Sequence, residues 1–145
     1  TVRPLVIKSF TDSDRTVQVA SASITINDTS APAPSYSLST SSSSINEGSI
    51  LTTSISTTNV FNGTTLYYSL SGTGITNSDF SSGALTGSGT VDSNGDFSFS
   101  HTLANDVTTE GNETLNVKLF SDSNRTTQVG TTSSFVILDT SIIIY

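Results

Sequence analysis

Leu103-Ala-Asn-Asp-Val-Thr-Thr-Glu-Gly-Asn-Glu-Thr-Leu-Asn-Val-Lys-Leu119 is the stretch in which a chain otherwise dominated by Ser, Thr and Gly becomes specific. Its second half sets Leu115, Val117 and Leu119 against Thr114, Asn116 and Lys118, the two-residue period of a strand with one buried face. Its first half places Asp106, Glu110 and Glu113 within eight residues, in a chain with only three glutamates. Carboxylates this close repel one another. They are held by full solvation or by a hard cation such as calcium, which takes about six to eight oxygens from carboxylates, carbonyls and water. An acidic loop therefore empties into a core strand.

Working outward, the segment before this loop alternates Phe97, Phe99, His101 and Leu103 with Ser98, Ser100 and Thr102, and the turn Asp92-Ser-Asn-Gly95 leads into it. On the other side, Thr114 to Phe120 is expected to pair with Gln128 to Leu138 through a turn at Ser121 to Thr126. Further upstream, Leu51, Thr53 and Ile55 share one face of a strand. After the turn signal Asn62-Gly63, Leu66, Tyr68 and Leu70 do the same. Tyr36 to Thr40 and Ser43 to Asn46 read as a short broken strand, and Ala84 to Val91, with two glycines, as an edge strand. No segment carries a helical period. The expected fold is all-β, an immunoglobulin-like antiparallel β-sandwich of about seven strands.

Composition narrows the function. The 145 residues suffice for one domain, with or without part of another. Five basic residues against twelve acidic ones, net −7, exclude a nucleic-acid or anionic-membrane binder, which needs clustered Lys and Arg. No apolar run approaches the length of a membrane span. With no cysteine, no disulfide framework forms. Few charges and many hydroxyls suit an extracellular chain.

The chain repeats itself. Phe10-Thr-Asp-Ser-Asp-Arg-Thr-Val-Gln-Val19 aligns with Phe120-Ser-Asp-Ser-Asn-Arg-Thr-Thr-Gln-Val129 at an offset of 120 − 10 = 110, and Asn27-Asp-Thr-Ser30 aligns with Leu138-Asp-Thr-Ser141 after a one-residue slip. A period of this size fits sandwich domains in tandem. Residues 1–30 are then the last two strands of a preceding repeat, 31–35 a proline-containing linker, 36–140 a complete sandwich, and 141–145 an apolar tail or the start of a further strand. Two strands alone bury too little to offset their chain entropy. Val6, Phe10, Ile24 and Ile26, with Ile142, Ile143, Ile144 and Tyr145 at the other end, are accordingly expected to face neighbouring copies or repeats of the same protein, with strands of one unit completing the next head to tail.

The series Ile45-Asn-Glu-Gly48, Asp79-Phe80, Gly89-Thr-Val91, Asn105-Asp106, Glu110-Gly-Asn-Glu-Thr-Leu115 and Val136-Ile-Leu-Asp139 resembles the Calx-beta family, over Tyr36 to about Thr140. The phrasing Ser88-Gly-Thr-Val-Asp-Ser-Asn-Gly95 is similar to that of large repetitive surface proteins of marine cyanobacteria and their phages. The first resemblance implies calcium as cofactor, with Glu47, Asp79, Asp106, Glu110 and Asp139 as ligands. Glu113 opens a strand, and its counterpart at the 110-residue offset is Arg3, so it stays outside that set. The family's best calcium binders carry paired or tripled aspartates where this chain has Asn105-Asp106 and Asp139-Thr140-Ser141, which limits it to one ion or a weak site. The alternative is that these carboxylates cap backbone N–H groups without metal.

Catalysis finds little support. His101 lies among Phe97, Phe99 and Leu103 as a strand residue with no nucleophile at a telling spacing, and Gly-x-Ser-x-Gly is absent. Four sequons, at Asn27, Asn62, Asn112 and Asn124, are what an Asn-, Ser- and Thr-rich chain produces by chance. The expectation is a non-enzymatic structural or adhesive module of an extracellular fibre, cell surface or virion surface. A calcium-binding regulatory or ligand-binding module is the second reading, and a cyanophage appendage the third.

Overall fold

The computed structural model describes residues 2–141, so the expected contributions of Ile142, Ile143, Ile144 and Tyr145 lie outside the described residues. The chain divides into two compact units, one ending at Pro32 and the other beginning at Ala33.

The first unit is a hairpin. Strand β1 (Val2–Phe10) pairs antiparallel with β2 (Gln18–Asn27). Their connection is held by the Asp12 carboxylate, which accepts from the Thr16 hydroxyl and amide and from the Val17 amide. These bonds, the Thr16 hydroxyl foremost, lower the Asp12 pKa to about 2. Arg15 turns the loop with φ +56°. None of the strand residues is buried: Leu5, Ile7, Ile24 and Ile26 stand 46%, 59%, 56% and 51% exposed.

The second unit packs two sheets. Its strands are β3 (Ser35–Thr40), β4 (Ser44–Asn46), β5 (Ile50–Thr58), β6 (Thr65–Ser71), β7 (Phe80–Ser82), β8 (Thr86–Thr90), β9 (Asp96–Leu103), β10 (Glu113–Phe120) and β11 (Gln128–Leu138), with one 3-10 turn at Asn77–Asp79. One sheet runs β4-β11-β10-β6-β8 and the other β3-β5-β9-β7. All pairings are antiparallel except that of the three-residue β4 with β11. The seven longer strands fall on segments read as strands in the sequence, β5, β6, β9 and β10 by their alternation. The short β4, expected as the second part of a broken strand, and β7, which no period marks, bring the total to nine among the described residues.

The alternating apolar residues form the core between the sheets, as period 2 requires. Leu51, Leu103, Leu115, Val117 and Phe135 gather in one cluster, and Ile55, Leu66, Val91 and Leu119 in the other. Between them the Tyr68 ring stacks on Phe99 with centroids 3.7 Å apart. His101 is buried against Tyr68, Phe80 and Phe99, its Nε2 2.7 Å from the Ala84 carbonyl. Strand β8 lies at the edge of its sheet, and its glycines explain why it reads weakly. A Cβ on Gly87 would meet the Tyr68 hydroxyl at 2.2 Å, and one on Gly89 the Phe97 ring at 2.2 Å. The core needs that strand bare.

The two terminal hairpins share their internal geometry. Arg3↔Ile26, Leu5↔Ile24 and Phe10↔Gln18 in the first match Glu113↔Ile137, Leu115↔Phe135 and Phe120↔Gln128 in the second. Asp122 accepts from Thr126 and Thr127 as Asp12 does from Thr16 and Val17, and Arg125 also has φ +56°. The one-residue slip in the alignment falls in the bulge of each ladder. It is one residue longer in β11, where Gly130 takes φ +69°. What differs is burial: Leu115, Val117, Phe135 and Ile137 are buried, whereas their counterparts Leu5, Ile7, Ile24 and Ile26 are exposed.

Candidate metal centre

Strand ends at one pole of the second unit bring acidic residues from distant parts of the sequence together. Glu47 follows β4, and its amide donates to Leu138 at the end of β11. Asp79 closes the 3-10 turn, its carboxylate accepting from the Thr76 amide and hydroxyl in a capping box. The Ala104 amide donates to the Asp79 carbonyl at 2.8 Å, and the Gly48 amide to the Ala104 carbonyl at 3.1 Å, so the ends of β4 and β9 and the start of β7 are tied together. Asp106 and Glu110 lie on the loop between β9 and β10, and Glu113 is the first residue of β10.

Oxygens from Asp79, Glu110 and Glu113 all lie within 4.8 Å of one another. Calcium holds its oxygens at about 2.3–2.6 Å, so two ligands on opposite sides of one ion stand roughly 5 Å apart. The spacing fits one such ion. A recess of about 10 Å³ is lined by Glu47, Asp79, Asp106, Glu110 and Glu113, with Ala104 and Ile137 behind them, and no Lys or Arg among the described residues lines it.

The carboxylates there act on one another. Desolvation first, then the carboxylates of Asp106, Asp79, Glu47 and Asp139, raise the pKa of Glu110. Desolvation, followed by Asp79, Glu110, Glu47 and Asp106, raises that of Glu113. Both glutamates resist ionising in the folded protein, and a cation at the recess would reverse that preference.

The expected ligands do not all serve alike. Glu47, Asp79, Asp106 and Glu110 line the recess, while Asp139 does not. One Asp139 oxygen accepts from the Glu110 and Gly111 amides at 3.0 and 2.7 Å, and the other from the Ser141 amide and hydroxyl. These bonds, the Ser141 hydroxyl first, lower its pKa to about 2. Asp139 thus clamps the acidic loop. The capping alternative also has counterparts here: Asp106 accepts from the Thr108 amide, and Glu47 from the Thr140 hydroxyl at 3.2 Å. Glu113, left out of the set because it opens a strand, belongs to the closest trio. The signal was its strand phase: it shares a face with Leu115 and Val117, which points it inward at the sandwich's end.

Of the residues expected at an interface, Phe10, Ile24 and Ile26 occupy positions whose counterparts Phe120, Phe135 and Ile137 are buried. Val6 lies on the opposite face, at the position of the half-buried Asn116. Leu5 and Ile7, the counterparts of Leu115 and Val117, were missed, although the 110-residue offset already marked them. No protein-family model and no curated protein matches this chain.

Proposed function

We propose that this chain is a structural module, related in kind to Calx-beta sandwiches, of a tandem-repeat fibre or surface protein outside the cell or on a virion. Its work is to extend, stiffen and adhere rather than to catalyse. The observation that carries this reading is the hairpin built twice with one register and one loop geometry, about 110 residues apart. A chain that repeats a whole closing hairpin is organised as beads. Antibody labelling of intact cells or particles, viewed by electron microscopy, tests it. Periodic label along a surface fibre is expected; label confined to the cell interior would overturn it.

A calcium-binding role is favoured by the carboxylates of Asp79, Glu110 and Glu113 at one pole. An ion there would stiffen the module by neutralising groups that otherwise push apart. Extracellular modules bind calcium at roughly 0.1–1 mM. At tenfold excess over such a Kd, binding stabilises the fold by about 1.4 kcal/mol, several degrees in Tm for a unit of this size. Scanning calorimetry with calcium, magnesium or chelator reads this directly. An unchanged Tm at about 10 mM calcium retires this role and leaves the structural reading standing.

A further inference from the structure

We propose that the Val2–Asn27 hairpin is the closing pair of a second sandwich, whose body is equivalent to β3 through β9 and lies ahead of the hairpin in the same polypeptide, and that Arg15 fixes the hairpin's register on that body. The inference rests on the tandem reading.

The face that carries Leu5, Ile7, Ile24 and Ile26 is about half exposed at every one of these residues, yet its counterpart in the second unit is 0–4% exposed. The counterpart is covered by the strands that precede it in sequence, residues 33 to 112. Its loop is docked as well. Arg125 donates through Nε to the Tyr68 carbonyl at 2.9 Å and through Nη2 to the Gly87 carbonyl at 3.2 Å, and its guanidinium lies 5.9 Å from the Tyr67 ring centroid. These carbonyls belong to β6 and β8. Arg15 has the same loop, the same φ and the same donors, but among the described residues its guanidinium has no partner. Cradle and key are both present in the molecule, one of them without its match.

The occupant is a preceding repeat rather than a second copy of this chain. In a second copy the place is already filled by β10 and β11, whose buried residues would have to be expelled. Within the complete unit the body also runs directly into its hairpin, Asn112 to Glu113, so the equivalent body stands immediately before Arg3.

The test extends the chain by putting a copy of residues 33–112 in place of Thr1 and Val2, so that the copy's Asn112 runs directly into Arg3, and follows amide hydrogen exchange. In the unextended chain the hairpin amides should exchange near the rate of an open peptide. In the extended chain those of Leu5, Ile7, Ile24 and Ile26 should slow by at least about 100-fold, while the authentic β10–β11 pair reports that the rest is folded. Arg15→Ala in the extended chain should return roughly tenfold or more of that protection. Arg15→Lys should not restore it, because an ammonium lacks the planar fork that spans two carbonyls.

Hairpin amides that stay fast beside a protected β10–β11 pair overturn the proposal. So does protection in the unextended chain that rises with concentration, which would make a second copy the occupant. Should the extension fail to fold, the reciprocal graft decides: residues 3–30 in place of 113–141. Cooperative melting is expected, and its loss rejects the proposal. A periodic surface fibre together with a failed graft would leave the array reading intact and remove only this mode of completion.

Discussion

Arg125→Ala should destabilise the second unit by about 2–3 kcal/mol. Beyond a bond to the Ser123 carbonyl in its own loop, the side chain makes two charge-assisted hydrogen bonds to other strands, to the carbonyls of Tyr68 and Gly87, and approaches the Tyr67 ring. Hydrogen bonds to charged groups contribute about 1.5–3 kcal/mol each. Holding a long side chain in one geometry costs up to about 2 kcal/mol of rotamer entropy, so the pair nets less than its sum. Backbone strain cancels, because arginine and alanine meet the same penalty at φ +56°. Arg15→Ala is the control: same residue, same loop, same φ, no partner among the described residues, and an expected change within about 0.5 kcal/mol. Urea unfolding, followed by tyrosine fluorescence, separates the two. With a slope of about 1–1.5 kcal/mol/M, the Arg125 variant should lose roughly 2 M in midpoint while the Arg15 variant barely moves. Equal shifts for both would refute the claim that the docked guanidinium, rather than the loop's own geometry, stabilises the unit.

Three other outcomes follow from the same structure. Leu115→Ala opens a cavity among buried residues and should cost about 2–5 kcal/mol, whereas Leu5→Ala should leave the main melting transition unmoved; a large effect of the latter would mean that the hairpin is already covered. Gly87→Ala places a methyl at 2.2 Å from the Tyr68 hydroxyl and should cost about 1–3 kcal/mol by denaturant titration, with no loss meaning that Tyr68 can leave its stack on Phe99. Stability in chelator should pass through a maximum in mildly acidic solution. Glu110 and Glu113 have folded pKa values above their ordinary 4.5, so their ionisation opposes folding at neutral pH, and that opposition is relieved as pH falls through the raised values. Asp122 and Asp139 have lowered pKa values, so their contribution is present above 3.8 and is lost below it, down to about pH 2 for Asp139. A Tm that falls steadily from pH 7 downward would contradict the crowding of the two glutamates.

Much of the architecture was legible because a strand with one wet face writes its geometry into every second residue. Leu51 to Thr57, Phe97 to Leu103 and Leu115 to Leu119 are read that way and are buried that way. Strand β7 was not, since three residues at the end of a turn are too few for a period. Around the acidic pole, clustering in the sequence marked Asp106 and Glu110, and the family resemblance added Glu47 and Asp79; all four line one recess although they span more than sixty residues of sequence. Type alone could not separate a carboxylate that faces the recess from one that spends its oxygens on backbone amides, which is what distinguishes Glu113 from Asp139.

By itself the sequence determined the class of fold, the sites of the turns and the repetition of a hairpin, because alternation, turn residues and self-similarity are local or one-dimensional properties. Only the tertiary structure decided which carboxylates meet within 4.8 Å, and that Arg125 reaches the carbonyls of Tyr68 and Gly87 on neighbouring strands while Arg15, in the equivalent loop, reaches none among the described residues. Those outcomes depend on which strands lie beside one another, and identical local sequence is compatible with either a covered face or an open one.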